Sequence, residues 1–147
     1  MNEVIIKRAE DILNTKSQTR EYTDGMEGIV LSLIDENGYP SASTVTIAKV
    51  DGIKTLTFLT TLDANKVKRI RANNKASLCL SSREYNISLV GTAEVLTDLE
   101  SKKNSWYKGM TDMGYPAEHP ESCVIKFTTE RYNMFFADNG SVAVGKL

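Results

Sequence analysis

Residues 28–61 read GIVLSLIDENGYPSASTVTIAKVDGIKTLTFLTT. Gly28 to Ile34 is an almost unbroken apolar run, and Asp35-Glu36-Asn37-Gly38 follows it. Asn-Gly between two β-type runs predicts a tight hairpin in which both turn residues take positive φ. The returning strand spans Ser41 to Val50 and is rich in Thr, Val and Ile, which suit a pleated surface. Asp51-Gly52 turns the chain once more, into Thr55 to Thr60, where Leu56 and Phe58 share a face.

Toward the C-terminus, a short helix is expected over 64–72 with Asp63 as its N-cap. Strands resume at Ala76 to Ser81, with Ala76, Leu78 and Leu80 on one side. A further strand covers Asn86 to Leu96, with Ile87, Leu89, Ala93 and Val95 inward and Gly91 interrupting the row as a bulge or bend. Thr97-Asp98-Leu99-Glu100 fits a capping box opening a helix whose stripe is Leu99, Trp106, Met110 and Met113. After a looser segment, Gly114 to Glu121, a last hairpin joins Cys123–Phe127 to Tyr132–Ala137 and leaves a short tail. Toward the N-terminus, residues 2–16 form an amphipathic helix with Ile5, Ala9, Ile12 and Leu13 on one side. A polar stretch ending at Asp24-Gly25 follows it. Seven short antiparallel strands in hairpin order, with helices only at the start, the middle and the late connection, predict a mainly β chain closed or half-closed into a barrel.

The bulk properties narrow the function. A chain of 147 residues is one domain by length, residues 1–147, and long enough to bury a core. Its formal net charge is −1, so no broad cationic field gathers nucleic acid, and any anion must meet a local cluster. No apolar run approaches the roughly 18 residues that span a bilayer. The first residues are acidic and lack a signal-peptide core, so a cytoplasmic protein is expected. Cys79 and Cys123 lie in alternating apolar segments without CxxC spacing and read as buried, reduced thiols.

The obvious catalytic sets are missing. His119 is the only histidine and sits in a proline-flanked loop, too little for a zinc site without carboxylates. No GxSxG, P-loop or GxGxxG occurs, so an enzyme of this sequence leaves the hard chemistry to a cofactor. One cluster stands out: Thr60-Thr61-Leu62-Asp63-Ala64-Asn65-Lys66-Val67-Lys68-Arg69-Ile70-Arg71. A strand ends in two hydroxyls and a helix follows at once. Cations in a first helical turn are unfavourable unless an anion such as phosphate is bound there. Val67 and Ile70 define the buried stripe, Lys66 and Arg71 border it, and Lys68 and Arg69 point to solvent. Lys66 is therefore best placed to meet a phosphate. The strand Ser41-Ala42-Ser43-Thr44-Val45-Thr46 is rich in small hydroxyl residues, and one hairpin joins it to Thr60-Thr61, so both can line one groove. Trp106, Tyr107, Met110 and Met113 fit core packing against the barrel first, with a dimer surface or a wall over an aromatic cofactor as the alternatives.

In this order and spacing, several of these pieces resemble the pyridoxamine 5′-phosphate oxidase-like, FMN-binding split-barrel family, notably its small general-stress members. They are the Asp35, Gly38 and Pro40 hairpin, the 41–46 strand, Phe58-Leu59-Thr60-Thr61 before Asn65-Lys66, the run from Asn86 to Val95, and Trp106 before Tyr115-Pro116. The resemblance implies a six- to seven-stranded antiparallel split β-barrel whose homodimer holds FMN at the subunit interface and takes a small-molecule substrate. It places Ser43, Thr44 and Val45 along the flavin and ribityl chain, Thr60 and Thr61 at the ribityl or phosphate, and Asn65 and Lys66 at the phosphate. Asn86 matches a ring-contacting position, and Trp106 and Tyr115 come from the second subunit. The chain departs from the family at Ser43 and at Ala64-Asn65, where arginines are common; Arg71 is a candidate to compensate. The Arg-x-His-type motif that holds pyridoxal phosphate in the true oxidase is absent, so that activity is not expected.

The implied function is an FMN-dependent oxidoreductase. The alternatives are a flavin-, deazaflavin- or haem-binding sensor without turnover, and a cofactor-free interaction module.

Overall fold

The computed structural model describes residues 2–17 and 28–147; the expected turn at Asp24-Gly25 lies outside them. Helix α1 (Asn2–Lys16) precedes strands β1 (Ile29–Ile34), β2 (Pro40–Val45), β3 (Lys49–Asp51) and β4 (Thr55–Thr61). Helix α2 (Asn65–Ala72) leads to β5 (Lys75–Ser81) and β6 (Tyr85–Leu96). Helices α3 (Leu99–Ser105) and α4 (Lys108–Asp112) then precede β7 (Ser122–Phe136) and β8 (Ser141–Lys146).

All strands join one sheet, ordered β2-β1-β5-β6-β7-β4-β3, with β8 added to β7, and every pairing is antiparallel. Strands β2 and β3 end that path on opposite sides, yet only residues 46–48 separate them in sequence. Laid flat, seven strands would hold their outer members about 29 Å apart. The linking residues reach about 14 Å at most. The sheet must therefore curl until its ends approach, and the expected mainly β barrel follows from that one short connection. Its interior is lined by Leu31, Phe58, Leu78, Leu89, Phe127 and Phe136, all essentially without solvent contact.

That connection also corrects a strand. Ser41–Val50 does not run unbroken; it leaves β1 after Val45, and Ala48 donates its N–H to the Thr57 carbonyl of β4, next to the far edge. β-propensity cannot register a change of partner. The first hairpin differs as well. Only Gly38 takes a positive φ, +83°, while Asp35 caps the loop by accepting the N–H groups of Asn37 and Tyr39 at 2.9 Å. With the aspartate side chain supplying the acceptor, Asn37 need not enter the left-handed region.

The last hairpin is absent. Residues 122–136 form one long strand, and the tail is a strand, β8, paired along Arg131–Phe136. The long strand bends where Gly91 was expected to mark a bulge. The register slips between Val90 and Gly91, which face Arg131 and Thr129, so Glu130 is the extra residue. A Cβ on Gly91 would stand 1.9 Å from the Thr128 carbonyl oxygen, which is why glycine is needed there.

The helix ends shift too. Ala64, not Asp63, occupies the N-cap of α2, and Asp63 instead accepts the Thr61 hydroxyl at 2.6 Å. The capping box moves by one residue: Asp98 is the N-cap and accepts the Ser101 N–H at 2.9 Å. That bond, foremost, holds the Asp98 carboxyl below its ordinary value. The single helix expected after Leu96 is two short ones, broken at Trp106, whose backbone is extended. Its indole N–H is drawn to the Tyr115 carbonyl at 3.0 Å.

Helix α1 is amphipathic as expected. Ala9 and Leu13 are buried against the barrel, and Glu10 accepts the Ile53 N–H at 3.1 Å.

Candidate functional site

A cleft of about 280 Å³ lies between the end of β2, the end of β4, the start of α2 and helix α4. Thr44, Val45 and Thr46 form one side, Phe58, Leu59 and Thr60 the floor, and Tyr107, Met110 and Met113 the opposite wall. Lys66 enters from α2. Four of the candidate residues, Thr44, Val45, Thr60 and Lys66, are thus brought together from three elements.

The local sequence explains why the start of α2 suits an anion. Helix α2 starts without a side-chain cap and without an acidic residue in its first turn. Its leading N–H groups and dipole therefore face the region that Lys66 borders. Val67 and Ile70 anchor the helix by burial, as their spacing predicted, and this fixes the rotation that half-buries Lys66 and leaves Lys68 exposed.

Arg69 departs from the solvent-facing expectation. It reaches Glu36 in the β1–β2 turn at 3.1 Å and the Ser41 hydroxyl at 3.4 Å. The Glu36 carboxyl is held below its ordinary value by its own backbone N–H first and then by Arg69.

The other candidates lie around the cleft, not in its lining. Ser43 is exposed on β2, and Asn65 is exposed at the first helical position. Thr61 donates its hydroxyl to Asp63. Trp106 adjoins the lining residue Tyr107, with its indole turned to Tyr115. Asn86 is remote. Thr44 pairs with Val30, Val30 with Cys79 and Cys79 with Ser88, one outward row in which Asn86 neighbours Ser88. Three inter-strand steps of about 4.8 Å put Ser88 roughly 14 Å from Thr44, and Asn86, two residues further along its strand, about 16 Å. The Cys79 thiol donates to the Asn86 amide oxygen at 3.4 Å.

Of the two cysteines, Cys123 is buried as expected, bonds the Thr60 carbonyl at 3.6 Å, and has its pKa pushed up by burial. Cys79 is only half-buried because it sits on the outer face of its strand. Among the described residues no group of His, Cys, Asp and Glu is placed to hold a metal ion. No described helix is long and apolar enough to cross a membrane.

The family model described as pyridoxamine 5′-phosphate oxidase matches residues 16–136. Among solved structures, the chain is similar to a Clostridium acetobutylicum protein related to general stress protein 26 of B. subtilis, at 24% identity, over 100% of this chain and 97% of that one, with a TM-score of 0.80. General stress protein 26 from Bacillus anthracis aligns at 18% identity over 94% and 99% of the two chains, with a TM-score of 0.67. A pyridoxamine 5′-phosphate oxidase-related, FMN-binding protein from Nostoc punctiforme aligns at 12% identity over 96% of each, with a TM-score of 0.61. No curated protein matches the sequence.

Proposed function

The chain belongs to the pyridoxamine 5′-phosphate oxidase family, and from that premise we propose that it is an FMN-binding flavoprotein, an oxidoreductase acting on a small molecule. The observation that carries the reading is the uncapped, acid-free start of α2 with Lys66 directed into the same cleft as Thr60. A phosphate dianion supplies the negative charge that this helix start lacks. The likeness to a structure described as FMN-binding agrees with it.

The residues present fit the group. Lys66 and the first amides of α2 hold the phosphate, the Thr60 hydroxyl meets the phosphate or ribityl chain, and Thr44 and Val45 border the flavin. Tyr107 and Met110 give an apolar wall that keeps water from it. Bound FMN supplies electron or hydride transfer. No side chain in the cleft is placed as a dedicated acid or base, so the protein contributes binding, orientation and exclusion of solvent.

We further propose that two copies of the chain complete the site. The cleft of about 280 Å³ is smaller than the roughly 300–1,000 Å³ of an enclosing ligand pocket. Away from the cleft, the outer face of β7 and β8 is apolar in the row that continues from Asn86: Phe135, Val142 and Val144 are 44%, 54% and 62% exposed. A second copy seated there buries that row, and the family resemblance puts Trp106 of one subunit toward the flavin of the other.

Haem is disfavoured by the one histidine. Nδ1 of His119 accepts the Glu121 N–H at 3.0 Å, so the neutral ring carries its proton on Nε2 and has no lone pair there for iron. The reading is tested by the absorption spectrum of the purified protein, FMN titration and NAD(P)H oxidation. Flavin uptake raises stability by about 2.7 kcal/mol at a hundredfold excess over Kd. A colourless protein whose melting temperature ignores FMN overturns flavin binding; flavin uptake without turnover above free FMN overturns only the enzymatic part.

A further inference from the structure

A second, larger space of about 440 Å³ lies between α3 and the outer face of β3, β4 and β7. Its roof is polar: Ser101, Asn104 and Ser105 of α3 line it. Ser105 is 6% exposed while Leu99 is left 44% exposed; the equally buried Lys102 is not part of the lining and donates to the His119 carbonyl at 3.2 Å. A helix that serves only to cover a sheet turns its apolar side inward.

The floor is equally unusual. Lys49, Thr57 and Lys126 are successive cross-strand neighbours on β3, β4 and β7, so two ammonium groups flank one threonine. The Thr57 and Ser105 hydroxyls bond each other at 2.8 Å and pin roof to floor. Neither lysine has a carboxylate within ion-pair distance among the described residues. Asp51 lines the far end, and Glu94 faces Lys126 from β6 outside the groove. Beyond Thr57 the lining turns apolar at Leu96 and Val124.

We propose that this groove binds a small organic anion. Its oxyanion group lies between Lys49 and Lys126, and its apolar part lies against Leu96 and Val124. The site shares no lining residue with the cleft, so it stands or falls independently of FMN.

The test is amide chemical-shift mapping of the ¹⁵N-labelled protein titrated in turn with inorganic phosphate, acetate and hexanoate. Saturable shifts at Thr57, Ser105 and Lys126 are expected, with hexanoate tightest at a Kd of about 1 mM or below. Replacing Lys49→Glu and Lys126→Glu together abolishes them. Asn104→Leu, which fills the groove without touching the charges, weakens hexanoate about tenfold. Shifts that fail to saturate, that map elsewhere, or that persist in both variants overturn the proposal. Phosphate binding as tightly as hexanoate overturns the assignment to an organic anion.

Discussion

The Arg69 guanidinium stands 3.1 Å from the Glu36 carboxylate, tying α2 to the turn between β1 and β2. This pair engages one cation of the helix outside the cleft and leaves Lys66, three residues earlier, as the cation that lines it. Lys66→Glu sets like charge against a bound phosphate and is expected to weaken FMN about tenfold or more. Lys68→Glu, on the exposed side of the helix, is expected to leave the affinity within about twofold. Equal effects of the two in a flavin titration would show that the phosphate site is elsewhere.

Strand β7 depends on Gly91. Gly91→Ala forces a methyl group against the Thr128 carbonyl, where only backbone movement relieves the clash. Overpacking of this kind costs about 1–3 kcal/mol, and the upper end is expected. The urea midpoint measures it; an unchanged midpoint would mean that the bulge slides to another residue.

The ends of the described chain are joined by Arg8 and Asp138, whose two bonds measure 3.0 and 2.9 Å, with Arg8 4.2 Å above the Phe136 ring. Arg8 holds the Asp138 carboxyl below its ordinary value of 3.8. A depressed carboxylate contributes stability that is present above the unfolded pKa and lost as pH falls through the folded one. Arg8→Ala is therefore expected to flatten the loss of stability below pH 3.8, modestly and most visibly at low salt because the pair is exposed. Identical acid limbs at low salt would show the pair to be energetically idle.

Val144 is 62% exposed at the apolar outer face, so Val144→Asp costs the isolated subunit little, about 0.5 kcal/mol or less. If two copies meet there, the same change dissociates them and weakens FMN with them. Sedimentation velocity of the two proteins, with and without FMN, decides this; an unshifted association state places the contact on another face.

Elements with a strong local period were legible before any coordinates. Leu56 with Phe58, Ala76 with Leu78 and Leu80, and Ile87 with Leu89 all face the interior as their alternation requires. The rotation of α2 followed from Val67 and Ile70, and with it the placing of Lys66. Tyr107, Met110 and Met113 carried only an ambiguous signal, because an aromatic–methionine stripe serves a core and a ligand wall alike.

By itself, then, the order of residues determined the alternation of faces, the positions of most turns and the cationic start of α2, since each depends on neighbours a few positions apart. Tertiary structure alone decided that residues 46–48 carry the chain from one sheet edge to the other, that 122–136 is a single bent strand, and that Asn86 lies three strands from Thr44. The physical reason is the same in each case: a strand's partner, unlike its period, is chosen by backbone hydrogen bonds to residues distant in sequence, and no local pattern encodes that choice.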